Sequence, residues 1–100
     1  MKRYKIRNKR NKLFSFGHGD WECDSEEGKL YDSIRSARQG LSYAITEGKR
    51  VCKNSLKGLG WKTVSERDAR RFLDLVEKKE IKKDYEIVEY ELVESSVYEV

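Results

Sequence analysis

The chain begins with a short alternation of apolar and basic residues, which is the pattern of a strand with one buried face. The alternation covers residues 4–7, where every second side chain is apolar. The polar run 8–12 then predicts a turn, and the apolar residues of 13–16 predict the returning strand of an antiparallel hairpin. Residues 21–23 are expected to add a short third strand, so this part of the chain predicts two or three antiparallel strands.

Two later segments carry apolar residues at three- and four-residue spacing, as expected of helices with one face on a core. The apolar positions are Ile34, Ala37, Leu41, Ala44 and Ile45 in the first segment, and Ala69, Phe72, Leu73 and Val76 in the second. Asp32 or Ser33 could cap the first helix, and Gly48 lies where a helix end favours a left-handed residue. The second helix is expected to begin near Ser65, which with Asp68 approximates a capping box. Between the helices, residues 51–62 show no regular pattern.

A last strand is predicted over residues 85–93, where apolar and acidic positions alternate. The order of strands, helices and strand predicts an α+β fold with both helices on one face of an antiparallel sheet, which the C-terminal strand joins. If the terminal strands are neighbours, Lys5 and Arg7 could lie across from Glu89 and Glu91. The same strands could instead pair between two chains, which would make a symmetric homodimer.

Length and composition favour one small domain over residues 1–100, because two cores of half this size would be too small to stand alone. The hydrophobic fraction of 37% suffices for a modest core, and 40% of the residues are charged. No apolar run has the length of a signal-peptide core or a membrane span, so we expect a cytoplasmic protein with no membrane partner. Cys23 and Cys52 are too few for a disulfide framework and are expected to be free thiols.

Charge is sorted along the chain. The first thirteen residues carry seven basic groups and no acid, whereas the last seventeen carry six acids and no base. A basic arm is typical of proteins that bind polyanions, because Lys and Arg side chains that neutralise phosphates release counterions. The net charge of +4 is mildly basic and permits nucleic-acid binding without requiring it. The oppositely charged ends could also pair with each other inside one fold.

No motif of catalysis or of metal binding stands out. His18 is the single histidine that could activate a Ser or Cys nucleophile, and the sequence identifies no partner for it. A metal site would need His18, Asp20 and Cys23 to join Cys52, a set without the paired spacing of zinc sites. The acidic run 20–27 lacks a calcium-loop spacing and is expected to be a solvated turn. The sequence therefore predicts a protein that is not an enzyme and that holds no metal or cofactor.

The candidate binding residues are basic or aromatic. In the connector, residues 57–62, Gly58 and Gly60 would let backbone N–H groups approach phosphate oxygens. The pattern favours the other interpretation, a flexible linker whose Trp61 fills the core. Arginines on outward helical positions could form a phosphate platform or simply a solvated face. The candidates are Lys5 and Arg7 of the hairpin, Arg35 and Arg38 of the first helix, Lys57, Trp61 and Lys62 of the connector, and Arg67, Arg70 and Arg71 of the second helix.

Several short segments resemble a pattern seen in small, mostly uncharacterised bacteriophage proteins. They are residues 4–9, 13–15 and 28–31, a glycine pair after residue 15, Trp21, Ser33 and the strand 86–91. The resemblance covers the first 45 residues and the final strand. The connector and the arginine-rich second helix depart from the pattern. The resemblance implies a phage accessory protein in the cytoplasm of the infected cell that acts by binding a host factor, and it carries over no catalytic residues.

Together these features predict a non-enzymatic binding protein of phage type. Its partner would be an anionic ligand, either nucleic acid or a phosphorylated nucleotide signal that it sequesters to counter or redirect a host process. The alternative is a protein–protein inhibitor of a host or defence factor, in which the acidic C-terminal strand mimics nucleic-acid charge or adds to the partner's sheet.

Overall fold

The computed structural model describes residues 1–60 and 62–91, and it confirms an α+β fold in which the C-terminal strand joins an antiparallel sheet. The elements are β1 (Lys2–Asn8), α1 (Ile34–Leu56), α2 (Glu66–Glu77), a short 3-10 helix (Ile81–Asp84) and β2 (Tyr85–Glu91). Trp61 and residues 92 and 93, which the sequence placed in the connector and the last strand, lie outside the described residues. Within the described ranges, no helix is both long and apolar enough to cross a lipid bilayer.

The terminal strands pair within one chain, as β1 and β2 run antiparallel with Ile6 opposite Ile87. The expected charge partners were wrong, because this register places Lys5 opposite Val88 and Arg7 opposite Glu86. Arg7 Nη2 lies 2.7 Å from Glu86 Oε2, so the basic N-terminal strand and the acidic C-terminal strand do form an ion pair with each other.

The predicted hairpin exists, but its returning arm is short. The Asn8 N–H donates to Leu13 O and the Ser15 N–H donates to Ile6 O, each over 2.9 Å. Phe14 then exchanges backbone hydrogen bonds with Ser25, over 2.7 and 3.0 Å. The residue that pairs with the returning arm is therefore Ser25, and the prediction of a third strand at residues 21–23 was wrong.

Residues 21–23 serve the core instead of the sheet. Trp21 and Cys23 are both buried, and Cys23 has a positive φ of 55°, which is incompatible with a strand. The Trp21 ring lies 4.8 Å from the Phe72 ring, centroid to centroid. One buried cluster joins the loop, both helices and the sheet, and it consists of Ile6, Trp21, Cys23, Tyr31, Ala37, Leu41, Ala44, Cys52, Ala69, Phe72, Ile81 and Tyr85.

The first helix begins where its cap was predicted and ends later than expected. The Ser33 hydroxyl accepts a hydrogen bond from the Ser36 N–H over 3.0 Å. The expected end at Gly48 was wrong, since the helix continues to Leu56. Gly48 permits close packing: a Cβ there would lie 2.6 Å from Phe72 Cζ and 2.7 Å from Trp21 Cγ. This close approach offsets the cost of about 1 kcal/mol that glycine brings to a helix interior.

Candidate functional site

The exposed face of α1 carries a line of cationic side chains. Arg35, Arg38, Lys49 and Lys53, here called the basic stripe, are all exposed and stand at spacings that share one side of a helix. From Arg35 to Lys53 the stripe extends for about 27 Å at 1.5 Å per residue. Lys57, the exposed C-cap residue of α1, continues it by one turn.

The outward positions between the cations bear no acid. Ser42 and Thr46 occupy the middle of the same line, and both are exposed. The single acid of the helix is Glu47, whose carboxylate accepts a hydrogen bond from Arg50 over 2.8 Å. This bond lowers the pKa of Glu47 and neutralises Arg50, leaving the four cations of the stripe as the net charge of α1.

The stripe cations have no ion-pair partner among residues 1–60 and 62–91. An open depression of about 790 Å³ lies along the first half of this face. Its lining consists of Ile34, Arg35, Arg38, Gln39 and Ser42. Because no described acid pairs with the stripe and all its residues stand on one helix, its charge remains available to an external anion.

The arginines of α2 are arranged differently. Arg70 pairs with Glu66 over 2.9 Å, and Arg71 makes two hydrogen bonds to the Asp84 carboxylate, over 2.9 and 3.3 Å. Arg67 is exposed and has no ion-pair partner in the described part of the chain. Since α2 contains four acids and three arginines, its surface is not a cationic platform.

Lys5 and Arg7, the candidate binding residues of β1, interact with other groups of the same chain. Lys5 donates a hydrogen bond to the backbone carbonyl of Glu27, and its ammonium lies 5.0 Å from the ring centroids of Phe14 and Tyr90. Arg7 is hydrogen-bonded to Glu86, and this bond lowers the pKa of that carboxyl. Both residues bind the chain's own groups and contribute to the β1–β2 sheet.

The connector brings few of its candidates together. Gly58 and Gly60 have positive φ values of 70° and 85°, and both are exposed. Lys62 contacts the Glu22 carboxylate, and its ammonium lies 5.7 Å from the Trp21 ring centroid. Lys62 therefore covers the core aromatic group from outside, while Lys57 belongs with α1.

A cavity of about 470 Å³ lies beside Arg71. Its lining consists of Asn8, Arg10, Asn11, Trp21, Glu22, Val64, Asp68, Arg71, Phe72, Asp84 and Tyr85. The lining has three carboxylates and two guanidinium groups, and the Arg71 guanidinium already forms an ion pair with Asp84. A phosphate would meet more negative than positive charge there, so the cavity is poorly suited to a nucleotide.

The residues considered for metal binding or catalysis hold the loop around Trp21. The Asp20 carboxylate accepts hydrogen bonds from the N–H groups of Phe16 and Cys23, over 3.1 and 3.2 Å, and burial raises its pKa. Cys23 and Cys52 are buried free thiols, and burial raises their pKa values to about 12 and about 11. His18 is exposed. Among the residues that the structure places, no group of three or more potential ligands could hold a metal ion.

Sequence reasoning found Arg35 and Arg38 but missed Lys49 and Lys53. The signal was present in the spacing 35, 38, 42, 46, 49 and 53, which is a continuous helical line. It was hidden because Gly48 was interpreted as the end of the helix.

No protein-family model, curated protein or solved structure matches this chain. The resemblance to bacteriophage accessory proteins therefore stays a prediction.

Proposed function

We propose that the protein binds the phosphate backbone of nucleic acid through the basic stripe of α1, without catalysis. The observation that carries the proposal is the stripe itself: four exposed cations on about 27 Å of one helix, none neutralised by a described acid. Such a line fits a polyanion with regularly repeating charges better than a small compact anion.

The distribution of ion pairs supports this choice of surface. The cations of β1, of the connector and of α2 mostly contact carboxylates of the same chain, as in Arg7–Glu86, Lys62–Glu22 and Arg71–Asp84. Binding a phosphate at those positions would first require breaking an internal pair. Binding at the stripe requires only the release of counterions, which favours association at low salt.

The two other expectations have weaker support. A nucleotide signal would need a cationic cavity, and the cavity beside Arg71 is lined by more acids than bases. An inhibitor acting through the acidic strand would need free carboxylates on β2. There, Glu86 pairs with Arg7, Glu89 lies 3.9 Å from Lys2, and Glu91 pairs with the N-terminal ammonium.

The resemblance to bacteriophage accessory proteins supports a setting for this activity. In an infected cell, a small protein that coats phosphate backbone in the cytoplasm could redirect a host process by competing for nucleic acid.

Binding of fluorescently labelled short duplex DNA, followed by anisotropy at increasing salt, tests the proposal. The double variant Arg35→Glu/Lys53→Glu reverses the charge of the stripe at both ends. The matched control is Arg67→Glu/Arg70→Glu, which makes the same change in net charge on α2. We expect the stripe variant to bind at least about tenfold more weakly and the control to stay within about threefold of the parent.

The salt dependence provides a second readout. Four phosphate contacts correspond to a slope of about −3.6 in a plot of log K against log salt for duplex DNA. The stripe variant should show a much shallower slope. Equal losses in the stripe and control variants would mean that net charge alone attracts the nucleic acid, and the assignment to α1 would then be wrong. Circular dichroism of each variant establishes that the fold is intact.

A further inference from the structure

The cations of the basic stripe are grouped at its two ends. Arg35 and Arg38 lie within the first two turns of α1, and Lys49 and Lys53 lie in its last third. Lys49 follows Arg38 by eleven positions, which corresponds to about 16 Å along the helix axis. A single phosphate strand would be matched by evenly spaced cations. Two groups separated by an uncharged interval match two phosphate strands with a gap between them.

The outward residues in that interval carry no charge, and they include the exposed ring of Tyr43 to one side of the line of the stripe. Gln39, Ser42 and Thr46 are all exposed, and none carries a charge. Thr46 Oγ1 donates its proton to the carbonyl oxygen of Ser42 over 3.0 Å, so this hydroxyl can still accept a hydrogen bond from a partner. Gln39 and Ser42 also line the open depression on this face. Ser42 and Thr46, which lie on the line of the stripe, are short and let this part of the helix approach a partner closely.

The helix and its arrangement of charges fit the major groove of B-form DNA. That groove is about 12 Å wide and admits an α-helix, whose diameter with side chains is about 10–12 Å. Phosphates of the two strands border the groove on either side. A helix seated obliquely in it would therefore place its two cationic ends beside opposite strands and its uncharged middle against base edges.

The chemistry of the middle residues suits base edges. A glutamine amide can bind the N6 and N7 positions of adenine together, hydroxyl groups can donate or accept at several bases, and a threonine methyl can contact the thymine methyl. Duplex RNA is a poor substitute, because its major groove is deep and too narrow for a helix.

The helix is held rigidly for this task. Near its start, Gly40 lies so close to Tyr31 that a Cβ would be 2.5 Å from the phenol oxygen, and Gly48 packs equally closely on Phe72. Both halves of α1 are thus fixed to the core. Little conformational freedom remains to be lost when the outer face binds.

We propose that α1 enters the major groove of duplex DNA, with the two ends of the basic stripe on opposite strands and Gln39, Ser42 and Thr46 on the base edges. This inference rests on the proposed function and adds to it the form of the nucleic acid and a degree of sequence preference.

The test has two parts, both with the full chain. First, short duplex DNA, duplex RNA and single-stranded DNA of equal length compete for binding, and we expect duplex DNA to be preferred by about tenfold or more. Second, a preferred sequence is selected from randomised duplex DNA and compared with a scrambled one. In the Gln39→Ala/Ser42→Ala variant, the ratio of the two affinities should fall about tenfold while the salt slope stays unchanged.

The outcomes separate this inference from the proposed function. Equal affinity for the three nucleic acids, the absence of a preferred sequence, or a preference that survives the Gln39→Ala/Ser42→Ala variant would overturn the placement in the groove. In each of these cases, binding that is still lost in Arg35→Glu/Lys53→Glu leaves the proposed function standing. If that charge-reversed variant binds as well as the parent, both proposals fail together.

Discussion

The phenol of Tyr85 donates a hydrogen bond over 2.6 Å to the backbone carbonyl oxygen of Trp21. Tyr85 is the first residue of β2, and Trp21 lies in the loop that fills the space beside α1, so the bond joins parts of the chain that are 64 residues apart. Both side chains are buried. The bond fixes the position of Trp21, which in turn packs on Phe72 and on the helix at Gly48.

Removing this bond should destabilise the protein. In Tyr85→Phe the carbonyl of Trp21 stays buried without its donor, and we expect the free energy of unfolding to fall by about 1–3 kcal/mol. Urea unfolding measures the change. Tyr43→Phe is the matched control, because Tyr43 is 55% exposed and should be nearly neutral. A similar loss in both variants would contradict the role assigned to the buried bond.

The close approach at Gly48 predicts a cost for adding a single methyl group. A Cβ would lie 2.6 Å from Phe72 Cζ and 2.7 Å from Trp21 Cγ, and ring atoms in a packed core cannot move aside without disturbing their neighbours. Gly48→Ala should therefore lower the free energy of unfolding by about 1–3 kcal/mol, although alanine is the better helix former. Ser42→Ala, on the exposed face of the same helix, should change it by less than about 0.5 kcal/mol. Stabilisation by Gly48→Ala would show that the helix is not held against these rings.

Two ion pairs on α2 should differ in strength. Arg71 and Asp84 form a two-bond pair in which the carboxylate side chain is 19% exposed, whereas Arg70 and Glu66 are both about two-thirds exposed. Double-mutant cycles measure the coupling energy of each pair. Because solvent screens the exposed pair, we expect about 0.3–0.5 kcal/mol for Arg70–Glu66 and at least about 1 kcal/mol for Arg71–Asp84. Equal coupling energies would mean that the geometry at Asp84 brings no advantage.

Stability should fall at alkaline pH. Burial raises the pKa of Cys23 to about 12 and that of Cys52 to about 11, from an ordinary value of 9.0. The folded protein thus holds these protons more tightly than the unfolded chain does. The resulting stability is fully present below pH 9.0 and is lost as the pH rises through the pKa values of the folded state.

Unfolding by urea between about pH 8 and pH 11 tests this dependence, with a fall of at most about 1.4 kcal/mol per pH unit for each thiol. Burial also raises the pKa of Tyr85, which adds to the fall. The variant Cys52→Ala removes one thiol and should show a shallower decline, whatever its stability at neutral pH. A decline as steep as that of the parent would rule out Cys52 as a contributor.

Features that depend on neighbouring residues could be predicted from the sequence. The caps at Ser33 and Ser65 each accept a hydrogen bond from the N–H three residues later, so the pattern that identifies them is local. The alternation in β1 and β2 and the apolar spacing of the two helices are local in the same sense. Together they were sufficient for the α+β fold.

Features that depend on distant residues could not be predicted. Gly48 is of the residue type that often ends a helix, and its packing role can be recognised only once Phe72 and Trp21 are known to lie beside it. The register of β1 on β2 decides that Arg7 meets Glu86, and the alternation of residues within each strand is compatible with several registers. The site was affected in the same way, because an early end to α1 removed Lys49 and Lys53 from the line that includes Arg35 and Arg38.

The uneven use of ion pairs determines which positions of the chain can change independently. A substitution at Arg7 leaves the Glu86 carboxylate without its partner, and one at Arg71 does the same to Asp84. Such a substitution is tolerated best when the partner carboxylate changes with it. The four cations of the basic stripe have no ion-pair partner in the described part of the chain, and each can be exchanged without a compensating change elsewhere. The outer face of α1 is thus a part of the molecule whose charge can change, and the proposed binding with it, while the fold stays the same.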